Sequence, residues 1–256
     1  MFGSDYIFQL GKMSKGKIGI GAGPKSDAIV ASVSKAERLG LPRSEVYEDS
    51  KRLCEDLKAR KICAAVRGTL SSSEILPAIK ETYGVDRVLR VAFLSTSTGK
   101  PFLLAPVGID EGNSLAERFE IMKQGVRYLR CLGVNPSISI ISKGRQEDGS
   151  RGEDIARSLR EGEELAEMAA REGLTATHDH ILIEKAAQQS DFVIAPDGVT
   201  GNLIFRTLYF LGGGSALGAP VVNIGRVFVD TSRDKRDYVD SIALAAAICA
   251  ARERRR

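Results

Sequence analysis

Residues 191–233 read DFVIAPDGVTGNLIFRTLYFLGGGSALGAPVVNIGRVFVDTSR, two apolar strands that each deliver a polar cluster to one end. In the first, Phe192-Val193-Ile194-Ala195 runs into Pro196-Asp197-Gly198, and Gly201-Asn202 opens a helix through Leu203, Arg206 and Leu208. In the second, Val221 to Ile224 leads to Val227-Phe228-Val229 and then to Asp230-Thr231-Ser232-Arg233. Open α/β proteins bind ligands at strand ends of this kind.

Working outward, strand and helix signals alternate along the chain. Strands are predicted at 17–21, 61–66, 88–94, 102–107 and 138–141, and helices at 27–39, 71–83 and 153–172. A further helix is predicted to start at an Asn113 cap and run to Leu132, where Leu115, Phe119, Met122, Val126 and Leu129 recur at helical spacing. Residues 95–101, STSTGKP, have hairpin or crossover-turn chemistry. Such alternation argues for an α/β protein of parallel βαβ units with helices on both sheet faces. The first dozen residues read as loose or as lying upstream of an alternative start at Met13.

The chain has 256 residues, 43% hydrophobic and 27% charged, with a net charge of +4. That length buries a sizeable core. The charge is spread along the chain, so no nucleic-acid footprint is expected. Cys54, Cys63, Cys131 and Cys249 lie far apart in apolar stretches with no CxxC spacing, which fits buried thiols in a reducing compartment. There is no basic segment followed by a long apolar run, and nowhere do about 18 apolar residues follow one another. A cytoplasmic protein with no membrane partner is expected.

Several strand ends carry candidate chemistry. Gly19-Ile20-Gly21-Ala22-Gly23 precedes a helix, but its GxGxG spacing fits a tight strand-to-helix turn better than a dinucleotide loop. Val66-Arg67-Gly68-Thr69 joins a guanidinium and hydroxyls to a helix N-terminus, suited to phosphate or carboxylate, or equally to a surface arginine beside a capping serine. Ser142-Lys143-Gly144-Arg145 offers a hydroxyl, amides and cations, or is a charged turn. His178-Asp179-His180 has metal-like spacing without a placed third ligand, and reads as a polar turn before a strand at 181–183; no metal site is expected. In Asp197 to Asn202, two glycines would let a ligand approach backbone amides, with Asn202 able to donate and accept. Thr231, Ser232, Arg233 and Asp237 combine hydroxyls, a fixed cation and a carboxylate able to bind an anion and remove a proton.

APDGVTGN followed by VDTSR, at this separation, resembles the phosphate acetyl/butyryltransferase family, in which a (T/A)GN helix start precedes a strand ending in (D)xSR. The likeness extends to AAVRGTLSSSEILPAIK, KPFLLAPVGID and NPSISIISKG, covering most of the chain from about Ala64 onward. The pattern RGTLSSSE, APDGVTGN and VDTSRD is most similar to the methanogenesis marker protein 4 family, a divergent relative whose members carry a methyltransferase label.

The resemblance implies two α/β/α lobes of the isocitrate/isopropylmalate dehydrogenase type, residues 1–85 plus 219–256 and residues 86–218, with the active-site cleft between them. It implies a homodimer, a small anionic substrate, and coenzyme A or phosphate as substrates with no tightly bound cofactor. By position, Ser232 and Arg233 would bind phosphate and coenzyme A groups and Asp237 would be the base. Arg67, Thr69, Ser142, Lys143, Asp197, Gly201, Asn202, Arg206 and Thr231 would complete the anion site. Phe210 stands where the acyltransferases have a phosphate-gripping arginine, and Arg206 lies one turn earlier. The implied function is acyl transfer between phosphate and coenzyme A. The alternatives are a methyltransferase component of a methanogenesis complex, or a non-catalytic assembly or regulatory protein.

Overall fold

The computed structural model describes residues 2–24, 26–232 and 235–254. In chain order its elements are α1 (Ser4–Gly11), β1 (Ile18–Gly21), α2 (Ser26–Arg38), β2 (Ser44–Tyr47), α3 (Ser50–Lys58), β3 (Ala64–Val66) and α4 (Ser72–Tyr83). Then come β4 (Ala92–Ser95), β5 (Pro101–Ala105), α5 (Leu115–Cys131), β6 (Ile138–Ile141), α6 (Glu153–Arg171), β7 (Ala176–His180), α7 (Ile183–Gln189) and β8 (Phe192–Ile194). The chain closes with α8 (Gly198–Phe210), β9 (Ser215–Val221), β10 (Val227–Asp230) and α9 (Val239–Glu253). It divides into two compact units, Met1–Val88 with Leu217–Arg256, and Leu89–Ala216.

In the first unit the strand order is β2-β1-β3-β10-β9, parallel except for the β10–β9 pair. Helices α3 and α4 pack on each other over a cluster that includes Leu53, Leu57, Ile75, Ile79 and Phe228. Against the opposite faces of β3 and β10 lies α9, whose alanines are almost all buried. Small side chains let the neighbouring elements come close: a Cβ at Gly11 of α1 would stand 2.9 Å from the Ala243 carbonyl oxygen of α9. The N-terminal segment is therefore not loose. It forms α1, with Ile7 and Leu10 buried on α9.

In the second unit the order is β4-β5-β8-β6-β7, parallel except for the β4–β5 hairpin. The hairpin turns at Gly99, which has φ +84°, and Thr96 N donates to Lys100 O at 3.0 Å across it. Ser114, not Asn113, caps α5, its hydroxyl accepting from Glu117 N, while the Glu117 carboxylate accepts from Asn113 N. This differs from a capping box in that the Glu117 carboxylate reaches one residue beyond the cap, so Asn113 stands at the position before it. The segment expected as a strand at 181–183 instead leads into α7.

The β10–β9 and β4–β5 pairs depart from the parallel βαβ units expected, and the second realises the hairpin alternative at 95–101. Hairpin-linked strands return antiparallel, and β9 runs opposite to β10 after the short connection 222–226. Among the described residues, no helix is long and apolar enough to cross a membrane.

Candidate functional site

In the first unit the C-terminal ends of the parallel strands β1, β3 and β10 share one edge, and each is followed by a helix, α2, α4 or α9. Three helix N-termini therefore direct partial positive charge toward that edge. The loops after β1 and β3 meet backbone to backbone. Gly68 has φ +61°, and a Cβ there would stand 1.9 Å from Gly21 O. Thr69 N donates to Gly21 O, and Thr69 Oγ1 accepts from Gly23 N at 2.8 Å. The glycines of GxGxG thus serve a tight loop contact, and the Gly23 amide and Thr69 hydroxyl bind each other.

Arg67 is buried and spans this edge. Its Nη1 donates to Asp230 Oδ1 at 3.0 Å and to Thr231 O at 3.1 Å, while Nε donates to Leu70 O at 2.8 Å. Thr231 Oγ1 donates to Gly68 O at 3.0 Å. Arg67, Asp230 and Thr231 therefore brace the backbone that presents Ser232, and the charge of Arg67 is largely matched by Asp230. Arg233 lies outside the described residues.

Beyond Ser232 the chain folds back, since Tyr238 Oη and Lys235 N both donate to Ser232 O. Asp237 Oδ2 accepts from Lys35 Nζ of α2 at 2.6 Å, and Oδ1 accepts from Val239 N at 2.9 Å. Partial burial pushes the Asp237 carboxyl up, but the bonds from Lys35 and Val239 outweigh it and hold it below the usual carboxylate range. A carboxylate so stabilised is a weak proton acceptor. Lys235, which the sequence reading passed over, behaves oppositely: burial pushes its amine below the usual lysine range, and its Nζ donates to Ser241 Oγ at 3.1 Å.

In the second unit the ends of β6, β7 and β8 form a separate cluster. Lys143 Nζ donates to Asp154 Oδ2 at 2.9 Å and contacts Asp197 Oδ2 at 3.2 Å, so hydrogen bonding to Asp154 above all raises its pKa. It clasps the start of α6 to the start of α8. Ser142 Oγ donates to Gly144 O at 3.2 Å and lies 3.0 Å from His178 Nε2. With the hydroxyl proton committed to Gly144, Nε2 is the donor. The His178 ring stacks on His180 at 4.3 Å, and burial, then the neighbouring His180, lowers its pKa. Among the described residues no group of three or more His, Cys, Asp or Glu could hold a metal.

Asp197 caps α8 by accepting from Thr200 N at 2.7 Å, and Gly198 N donates to Glu111 O. Glycine is required at 198 and 201 by packing: a Cβ at Gly201 would stand 1.9 Å from Pro106 O, and one at Gly198 1.7 Å from Gly108 O. Asn202 Nδ2 donates to Val107 O at 2.8 Å. Gly201 and Asn202 therefore seat α8 on the loop that follows β5, where sequence alone suggested room for a ligand. Arg206 is exposed and lies 5.0 Å over the Phe210 ring.

The partners that sequence reasoning missed, Lys35 and Asp154, carry no local signal, and His178, read there as part of a polar turn, pairs with Ser142. Lys35 and Asp237 are 202 positions apart, and only the packing of α2 beside α9 brings them together.

The fold recurs in solved structures. A branched-chain phosphotransacylase from Enterococcus faecalis V583 matches with a TM-score of 0.70 and 17% identity, over 91% of this chain and 98% of that one. A phosphotransacetylase from Streptococcus pyogenes matches with a TM-score of 0.68 and 15% identity, over 97% and 98%. The architecture is thus the mixed α/β fold of the phosphotransacetylases. In sequence, proteins named "Putative methyltransferase mtx subunit X" are 42% identical in Methanosarcina mazei and 44% in Methanosarcina acetivorans. Each match runs over 222 residues, 86% of this chain and 79% of the relative. The chain belongs to that family, and it shares its fold with the phosphotransacetylases. No family model matches it.

Proposed function

We propose that the protein is a transferase-like enzyme that binds a phosphate-bearing ligand at the β1, β3 and β10 strand ends. The observation that carries this reading is the convergence there of three helix N-termini on a backbone braced by Arg67, Asp230 and Thr231. Backbone amides and helix ends so arranged favour an anion. Ser232 and Arg233 are assigned to grip it. The transfer is of an acyl group between phosphate and coenzyme A, in a cytoplasmic protein without a tightly bound cofactor. Asp237, pinned by Lys35, would have to be released to accept the thiol proton.

The test is thermal unfolding with phosphate, acetyl phosphate and coenzyme A, since a ligand at 100 times its dissociation constant adds about 2.7 kcal/mol. Arg233→Ala should abolish the shift, and unchanged binding by that variant would refute the assignment. Lys143→Ala and Asp197→Ala report whether the second unit's cluster serves the same ligand. Release of phosphate from acetyl phosphate that depends on coenzyme A tests acyl transfer separately. No turnover with any short acyl phosphate removes that reaction and leaves the binding site.

The relatives' names favour a second reading, a methyltransferase component working as a subunit of a methanogenesis complex. Methyl transfer with tetrahydromethanopterin or coenzyme M partners would support it. Co-purification with such a complex and no turnover would instead favour an assembly or regulatory role.

A further inference from the structure

Two of the four cysteines meet within the first unit. Cys63 stands just before β3, its amide donating to Lys17 O at 2.9 Å, and Cys249 lies near the end of α9, 186 positions away. The Cys249 thiol donates to Cys63 O at 2.9 Å and also hydrogen-bonds with the Cys63 thiol. Ser14 Oγ lies 3.8 Å from Cys63 Sγ. Gly16 packs on the same side chain: a Cβ there would stand 2.7 Å from Cys63 Sγ, so the thiol has its place because position 16 carries no side chain. Thiols in mutual contact meet the first requirement of a disulfide, side chains directed at one another.

The two sulfurs differ in a way that suits an attacking thiol and a resolving one. Cys63 is half-buried, so a small oxidant can reach it, whereas Cys249 is 5% exposed. The hydrogen bond from Cys249 above all, helped by Ser14 and opposed by burial, holds the Cys63 thiol below the usual range, which enriches its thiolate. Cys249 is held well above that range by the same bond and by burial, so it keeps its proton until an electrophilic sulfur stands in front of it. The other cysteines are placed differently. Cys54 is fully buried, with its thiol pushed up to about 12 by that burial, and Cys131 ends α5 in the second unit.

We propose that Cys63 and Cys249 form a redox-active dithiol, a modification site whose reagent is a small hydroperoxide and whose product is a reversible disulfide between the start of β3 and α9. The Cys63 thiolate attacks one peroxide oxygen and breaks the O–O bond. Cys63 becomes a sulfenic acid, and the other oxygen leaves as hydroxide and takes up a proton to form water. Cys249 Sγ then attacks Cys63 Sγ and forms the S–S bond, and the sulfenic hydroxyl leaves with the Cys249 proton as a second water. The two sulfurs together lose two electrons and the peroxide gains them. A dithiol reductant reverses the change by exchange, being itself oxidised to a disulfide. In a reducing compartment the dithiol is therefore the resting form and the disulfide a transient one. The pair lies at the start of β3, whereas Arg67 follows its other end, so the proposal is independent of the reaction catalysed.

Titration of the full chain with hydrogen peroxide, followed by alkylation with N-ethylmaleimide under denaturing conditions and intact-mass measurement, tests it. The parent should fall from four alkylated thiols to two, and its digest should contain Cys63 linked to Cys249 within one chain, a link undone by dithiothreitol. Cys63 should react at least about 10-fold faster than Cys131. Cys249→Ser should stop at the sulfenic acid, trapped on Cys63 by dimedone, and Cys63→Ser should leave Cys249 unoxidised at the same dose. An unchanged circular dichroism spectrum shows that each variant is folded. The parent measurement needs no variant, so it decides the matter even where a substitution at buried Cys249 prevents folding. Cys63 and Cys249 both still alkylated at doses that oxidise Cys131, a bridge that involves Cys54 or Cys131, or oxidation of Cys249 ahead of Cys63 would each overturn the proposal.

Discussion

Arg67 shows how a residue chosen for one chemistry is engaged in another. The sequence placed a guanidinium at a strand end and left anion binding and a surface role open. The folded chain buries it to 8% side-chain exposure against Asp230 at 9%, with 163 positions between them. Removing one member of a buried pair leaves the other charge without compensation, at a cost of about 3–5 kcal/mol. Arg67→Ala should therefore lower stability by that order in denaturant unfolding, and adding Asp230→Ala should recover part of the loss. If the ligand alone depended on Arg67, stability without ligand would not change. His178 gives a pH signature. Burial, with His180 beside it, lowers its folded pKa, so its stabilising contribution is complete above the unfolded value of about 6.5 and declines as pH falls through the folded one. His178→Gln should flatten the melting temperature between pH 7 and pH 5 relative to the parent. An identical pH profile in the variant would show that the ring does not titrate differently on folding.

At the scale of elements, pattern reading did best where a helix has one apolar stripe and clear punctuation. The helix after Ser71 begins at that cap and stops at Gly84 with φ +66°. Short elements escaped it. Strand β2 has four residues and only its two ends buried, and α7 begins at the last residue of a stretch, Ile181 to Ile183, whose branched side chains read as strand. Tertiary contact decided those cases. Glycine at 201 belongs here too. Alanine favours a helix interior by about 1 kcal/mol on propensity alone, yet in α8 the added Cβ would meet Pro106 O. Gly201→Ala should accordingly destabilise the protein by about 1–3 kcal/mol, measured by chemical denaturation, with the propensity gain submerged. A neutral or stabilising outcome would mean that the loop after β5 can yield.

For the molecule as a whole, the alternation of strands and helices, the polar strand ends and the two motifs APDGVTGN and VDTSR were written in the sequence. They fixed a mixed α/β fold and the family, because hydrophobic periodicity and turn chemistry are local properties of the chain. The sequence also named most of the polar residues that gather at the strand ends. What each does there was left to the tertiary structure. It paired Arg67 with Asp230, Asp237 with Lys35, Lys143 with Asp154 and Asp197, and Ser142 with His178. It also turned the glycines of α8 from openings for a ligand into points of backbone contact. The physical reason is that a charge's role depends on which opposite charge and how much water stand beside it. Those neighbours come from strands and helices far away in the chain.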